Sequence, residues 1–193
     1  MISSPSPRLV GAYVWQLLKG IGCEKVELLK DIDRWMLRGT IVRFGESGPA
    51  EVRYEIVCDT GWHTTRADIN IRDSKGDRTL QMTNENGHWY ENGQHLAAFD
   101  GCIDVDLEWS PSTNTLPIRR LNLAVGESSG MLTAAWVRFP DLTIQTLQQE
   151  YERIGELKYR YSSQGGFKTE IVVDDEGLVI TYGGFWERAN IRT

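Results

Sequence analysis

The dominant periodicity along the chain is two. From Glu51 to Asp59, Val52, Tyr54, Ile56 and Cys58 share one face while Glu51, Arg53 and Glu55 share the other. Thr64–Asp73 repeats the pattern, with Thr65, Ala67, Ile69 and Ile71 opposed to Thr64, Arg66, Asp68 and Asn70. Cys102–Glu108 repeats it again, setting Ile103, Val105 and Leu107 against Asp104, Asp106 and Glu108. Turn signals separate such runs at Glu46–Pro49, Asp73–Gly76, Asn84–Gly87, Asn92–Gly93 and Asp175–Gly177. Many short strands at regular spacing predict an all-β chain, an antiparallel sheet curled into an incomplete β-barrel. Little helix is expected. Leu142–Gly155 is the best candidate for one, and Val10–Lys19 a weaker one. The stretch LPIRRLNL reads as a strand starting after Pro117, which puts Arg119 on the same face as Leu121 and Leu123.

The chain also resembles itself. Met36–Gly45 (MLRGTIVRFG) and Met131–Pro140 (MLTAAWVRFP) share five of ten residues, and Glu51–Thr65 is answered in the same order by Glu156–Glu170. This predicts two similar β-meanders, about residues 24–99 and 121–190, each covering the apolar face of the other. Residues 1–14 read as a flexible leader and residues 100–120 as a unique insert, the first place to look for function.

Composition narrows the class. Seven Trp, seven Tyr and 40% hydrophobic residues call for a packed core rather than disorder. A net charge of −6 excludes a phosphate backbone as the main partner, so no nucleic acid is expected. Three cysteines, Cys23, Cys58 and Cys102, suit no simple disulfide framework and point to reduced thiols in the cytoplasm. No run reaches the roughly 20 apolar residues that a membrane helix needs. The segment LVGAYVWQLLKGIGC invites a secretion-signal reading ending at Cys23, but Gln16 interrupts it and Lys19 sits near the would-be cleavage site. The oligomeric state leaves no mark in the sequence.

Most chemical motifs fail. Gly126–Gly130 (GESSG) has the spacing of a nucleophile elbow, but a strand-like run follows it and His63, His88 and His95 all precede it, so it reads as a turn. The histidines lack metal-ligand spacing, and no cofactor motif is present, so neither metal nor cofactor is expected. Asp104 and Asp106, two residues apart, are either a carboxylate pair for acid–base work or partners for arginines across the sheet. Arg119 on an apolar face needs a carboxylate, a carbonyl or a ligand anion, because a bare buried guanidinium is costly. Thr113, Asn114 and Thr115 suit turn capping.

One long run carries a resemblance. DVDLEWSPSTNTLPIRRLNL (Asp104–Leu123) resembles the signature of a bacterial family described as glycolipid-binding, formerly a domain of unknown function. Asp104, Asp106 and Leu107 match its Asp-x-Asp-Leu element, and Pro111 with Thr113–Leu121 matches its Thr-Asn-Thr-Leu-Pro-Ile-Arg-Arg-Leu run. Trp62 and Arg66 match its Trp–Arg pair with one extra residue between them, and Gly183 stands where the family pattern has Pro. The resemblance covers about Trp15 to Arg188 and implies a half-open barrel over a hydrophobic cavity, similar to bacterial carriers of lipoproteins and lipids. It implies lipid or glycolipid binding, with no catalytic residue. Candidate lining residues are Tyr54, Trp62, Trp89, Trp136, Tyr159, Phe167 and Trp186. Candidate polar contacts are Arg66, Asp104, Asp106, Asn114, Arg119, Arg120 and Arg188, with the insert as the pocket rim. The alternatives are a cofactor-independent enzyme on a small amphiphile, using Asp104 or Asp106 as base, and a protein-interaction module using an exposed strand edge.

Overall fold

The two-residue alternation becomes strand along most of the chain. The computed structural model describes residues 6–45 and 48–189. Glu46 and Ser47 of one expected turn, and residues 1–5 of the expected leader, lie outside the described residues. Fifteen strands are seen among the described residues: β1 Arg8–Leu17, β2 Ile21–Lys30, β3 Arg34–Gly45, β4 Gly48–Asp59, β5 Thr64–Asp73, β6 Gly76–Glu85, β7 His88–Glu91, β8 Gln94–His95, β9 Val105–Leu107, β10 Leu132–Arg138, β11 Thr143–Gly155, β12 Lys158–Ser163, β13 Phe167–Val173, β14 Val179–Tyr182 and β15 Trp186–Arg188. The one α-helix among them, α1, is Thr115–Leu121.

All fifteen strands form one sheet in the order β8-β7-β6-β5-β4-β3-β2-β1-β15-β14-β13-β12-β11-β10-β9. Pairing is antiparallel except for β9 with β10. The first and last strands meet in the middle, where Trp15 lies opposite Arg188. The two outer strands, β8 and β9, share no ladder, so the barrel stays open. Side chains bridge the gap instead. Arg78 donates to the Pro140 carbonyl at 2.8 Å, Lys75 pairs with Asp141 at 2.8 Å, and the Trp89 indole donates to the Cys102 carbonyl at 2.8 Å. Val105, Leu107, Ala135 and Val137 from one end of the sheet share a core with Leu80 and Met82 from the other.

Four expectations change. Leu142–Gly155 is not a helix but β11. Leu147, Gln149 and Tyr151 turn inward at every second residue, and ladders to β10 and β12 override the helix-forming Leu and Gln content. Val10–Lys19 is likewise strand, mostly β1, so residues 8–14 are not leader; Trp15 and Leu17 anchor the strand in the core. LPIRRLNL forms no strand. Pro117 sits in the first turn of α1, where its missing N–H costs nothing, and Asn122 ends the helix with φ 42°. Arg119 therefore does not share a sheet face with leucines.

The insert is the fourth change. Residues 110–118 are buried without a break, so they form a plug inside the curl rather than a rim. A sheet of this length encloses more space than its own side chains fill, and the plug occupies it. Met36–Gly45 and most of Met131–Pro140 are both strand, in β3 and β10. Their surroundings differ, because β4 pairs directly with β3 while β11 stands between β10 and β12.

Candidate functional site

Strands β9 to β15 present a concave face to the plug, and a cavity of about 670 Å³ lies between them. Register builds its walls. Asp106 on β9 lies opposite Trp136 on β10, and Tyr182 on β14 lies opposite Trp186 on β15. Tyr161 on β12 and Phe167 on β13 complete an aromatic surface, and Ser110 and Pro111 close the plug side. The rings of Tyr161, Phe167 and Tyr182 lie 6.0–6.4 Å apart, centroid to centroid.

Asp106 is the unusual wall residue. Among the described residues its carboxylate has no hydrogen-bond or ion-pair partner. Burial pushes its pKa up to about 7, helped by the neighbouring Glu108 and Asp104 carboxylates. Burial likewise holds the Tyr161 and Tyr182 phenols above their ordinary value, so both stay neutral. Glu108 is better satisfied, accepting from the Phe139 N–H at 2.9 Å and pairing with Arg138 at 2.9 Å.

Behind the plug lies a second polar centre. Glu24 on β2 is fully buried, facing inward with Val26 and Leu28. Its Oε1 accepts from the Tyr54 hydroxyl and from Ser110 Oγ at 2.7 Å, while its Oε2 has no partner. Burial raises its pKa to about 8, against the lowering effect of Tyr54, Ser110 and Ser112. Tyr54 reaches this point because Gly39 lies opposite it; a Cβ at Gly39 would sit 2.2 Å from the ring. Ser110 belongs both to the cavity wall and to this cluster. The plug is also stitched to β11, where Tyr151 donates to Asn114 Oδ1 at 2.9 Å.

The family model described as "Putative glycolipid-binding" matches residues 12–188. The chain belongs to this family. A crystal structure of a DUF1089 family protein from Pseudomonas aeruginosa is similar at 34% identity, with a TM-score of 0.79, over 86% of this chain and 92% of that one. No curated protein matches.

The Thr-Asn-Thr-Leu-Pro-Ile-Arg-Arg-Leu run that signals the glycolipid-binding family is thus the plug and α1. Of the expected polar contacts and lining residues, the structure brings together Asp106, Trp136, Phe167 and Trp186 in the cavity. The others lie elsewhere. Asp104 is buried in an ion pair with Arg120, as expected for one of the aspartates, at 2.5 Å. The two aspartates therefore do different work. Asn114 is buried in the plug, and Trp89 supports the Cys102 carbonyl. Trp62 stacks on Trp35 at 4.8 Å. Arg66 pairs with Glu55 and Asp68 on the outer surface. Arg188 holds Asp174 and the Leu178 and Val179 carbonyls. Arg119 and Tyr159 line a separate cavity of about 310 Å³, where Arg119 donates to the Asp175 carbonyl at 3.3 Å.

Ser128 lies in an isolated antiparallel bridge with Glu152 shortly before β10, its hydroxyl donating to Glu150 at 2.5 Å. His88, His95 and Asp100, unconnected by sequence spacing, meet at the β7–β8 edge, where one Asp100 oxygen lies 3.1 and 2.8 Å from the two rings. Glu24, Ser110, Tyr161 and Tyr182 were missed by the sequence reading. For Glu24 a signal existed, since Glu24, Val26 and Leu28 alternate with Lys25 and Glu27. Among the described residues no helix is long and apolar enough to cross a membrane.

Proposed function

We propose that this protein binds a lipid or glycolipid amphiphile in the aromatic cavity beside the plug. The observation that carries this reading is the aromatic wall of Trp136, Tyr161, Phe167, Tyr182 and Trp186 around about 670 Å³. That volume falls within the usual range for small-molecule sites. Each buried methylene contributes about 0.8 kcal/mol, so two further carbons on a chain strengthen binding about ten-fold or more. Alkyl maltosides of increasing chain length are expected to change Trp fluorescence at progressively lower concentration, because Trp136 and Trp186 are in the wall. Affinity independent of chain length would remove the lipid-pocket reading. Arg119 does not serve as headgroup holder here, since it lies in the other cavity.

A second reading rests on Asp106, whose pKa of about 7 suits a general acid or base. It expects turnover of an ester or glycoside amphiphile that Asp106→Asn reduces at least a hundred-fold, within the usual range for acid–base groups. Mass spectrometry of such amphiphiles after incubation checks it, and intact substrates throughout would end it.

A further inference from the structure

The cavity wall carries a charge pattern as well as an apolar one. Asp106 projects a carboxylate with no partner among the described residues, and none of the described residues lining the cavity is Lys or Arg. The nearby Arg138 guanidinium lies 4.0 Å over the Trp136 ring and is matched by Glu108 at 2.9 Å. It therefore leaves Asp106 unmatched. It already covers a face of Trp136, which leaves the other rings of the wall for a ligand. Tyr161, Phe167 and Tyr182 add three rings within 6.0–6.4 Å of one another.

Ring faces carry partial negative charge and attract ammonium groups, more strongly where water is excluded. A half-buried carboxylate without a hydrogen bond is partly stripped of water, and a ligand that supplies a positive charge offsets that cost. An anionic headgroup would instead meet Asp106 with no opposing charge. We infer that the cavity selects amphiphiles whose headgroup carries an ammonium cation, held by Asp106 and the faces of Tyr161 and Tyr182. This rests on the proposed amphiphile binding and adds the headgroup class. Burial keeps Asp106 partly protonated near neutrality, and a bound cation would draw it into the ionised form.

The test compares headgroups at one chain length. Decyltrimethylammonium, decyl maltoside and decyl sulfate are titrated below their critical micelle concentrations, at low salt and pH 8, with Trp fluorescence and calorimetry as readouts. The expected order is ammonium tightest, maltoside about ten-fold weaker, and sulfate weaker still. Asp106→Asn is expected to erase most of the ammonium advantage over maltoside. Should that variant fold poorly, the ranking on the unaltered protein stands as the measurement. Equal affinities, or sulfate binding tightest, overturn the headgroup inference while leaving the amphiphile pocket intact. If no decyl compound binds and longer chains do no better, the pocket reading and the headgroup inference fail together.

Discussion

Asp104→Asn should destabilise the protein by about 3–5 kcal/mol, the cost of leaving a buried charge without its partner. Asp104 and Arg120 side chains are only 3% and 10% exposed, and the guanidinium forks onto both carboxylate oxygens. Burial raises the Asp104 pKa and Arg120 opposes it, so the pair balances a large desolvation cost with a close contact. The pair also ties α1 to the residue preceding β9, and so holds both ends of the plug. Arg120→Ala should cost a similar amount. The double variant should cost clearly less than the sum, because neither charge is left buried alone. Arg66→Ala is the comparison: its pair with Glu55 lies on the outer surface, and such pairs contribute at most about 1 kcal/mol. Urea unfolding midpoints read all four. If Asp104→Asn cost no more than Arg66→Ala, the ion pair would not be what holds the plug.

The pH dependence of stability should be dominated by Glu24. Its pKa is about 8 in the folded protein against an ordinary 4.5, so the folded state binds the extra proton. A raised folded pKa means that the contribution is complete below about 4.5 and is lost as pH rises through about 8. Asp106, raised to about 7, adds a change of the same sign. Thermal or urea unfolding should therefore show lower stability at pH 8.5 than at pH 5, by a few kcal/mol on the order set by about 1.4 kcal/mol per pKa unit. Glu24→Gln should flatten most of this slope. It keeps an oxygen for Tyr54 and Ser110 but puts an amide donor where Oε2 has no partner. The variant should thus be about 1–3 kcal/mol weaker at pH 5 and stronger than the unaltered protein above pH 8. A pH profile unchanged by Glu24→Gln would show that this carboxyl does not stay protonated on folding.

Legibility in the sequence followed the range of the interaction. Glu51–Asp59 and Thr64–Asp73 were readable as strands because alternation holds along most of each run and turn residues bound them, although Val57 is buried and Thr64, not Thr65, turns inward. β11 was harder, since Leu, Gln and Glu are helix formers and only the neighbours on both sides impose the extended form. α1 misled in the opposite direction. A seven-residue helix starting within two residues of a proline has too few turns for a 3.6-residue period to show. Glu24 could have been flagged from its alternation with Val26 and Leu28, because a carboxylate on an apolar face always needs an account. Tyr161 and Tyr182 carried no such mark, as aromatics at inward strand positions are most often plain core.

By itself the sequence determined an all-β chain, the edges of most early strands, and membership of the glycolipid-binding family through one long run of residues, and it offered an Asp–Arg pairing in the Asp104–Arg120 segment as one of two readings. These depend on contacts near in sequence or on identity at fixed spacing, and both survive without coordinates. Only the tertiary structure decided that this run is a buried plug and that Asp104 and Asp106 have separate roles. It alone placed Glu24 beside Ser110 across 86 positions of chain and gathered residues from β9 to β15 around one cavity. Which inward face looks onto a plug, an opposing strand or open space depends on how far the sheet curls. The curl is set by the summed twist of fifteen strands, a property that no single stretch of sequence contains.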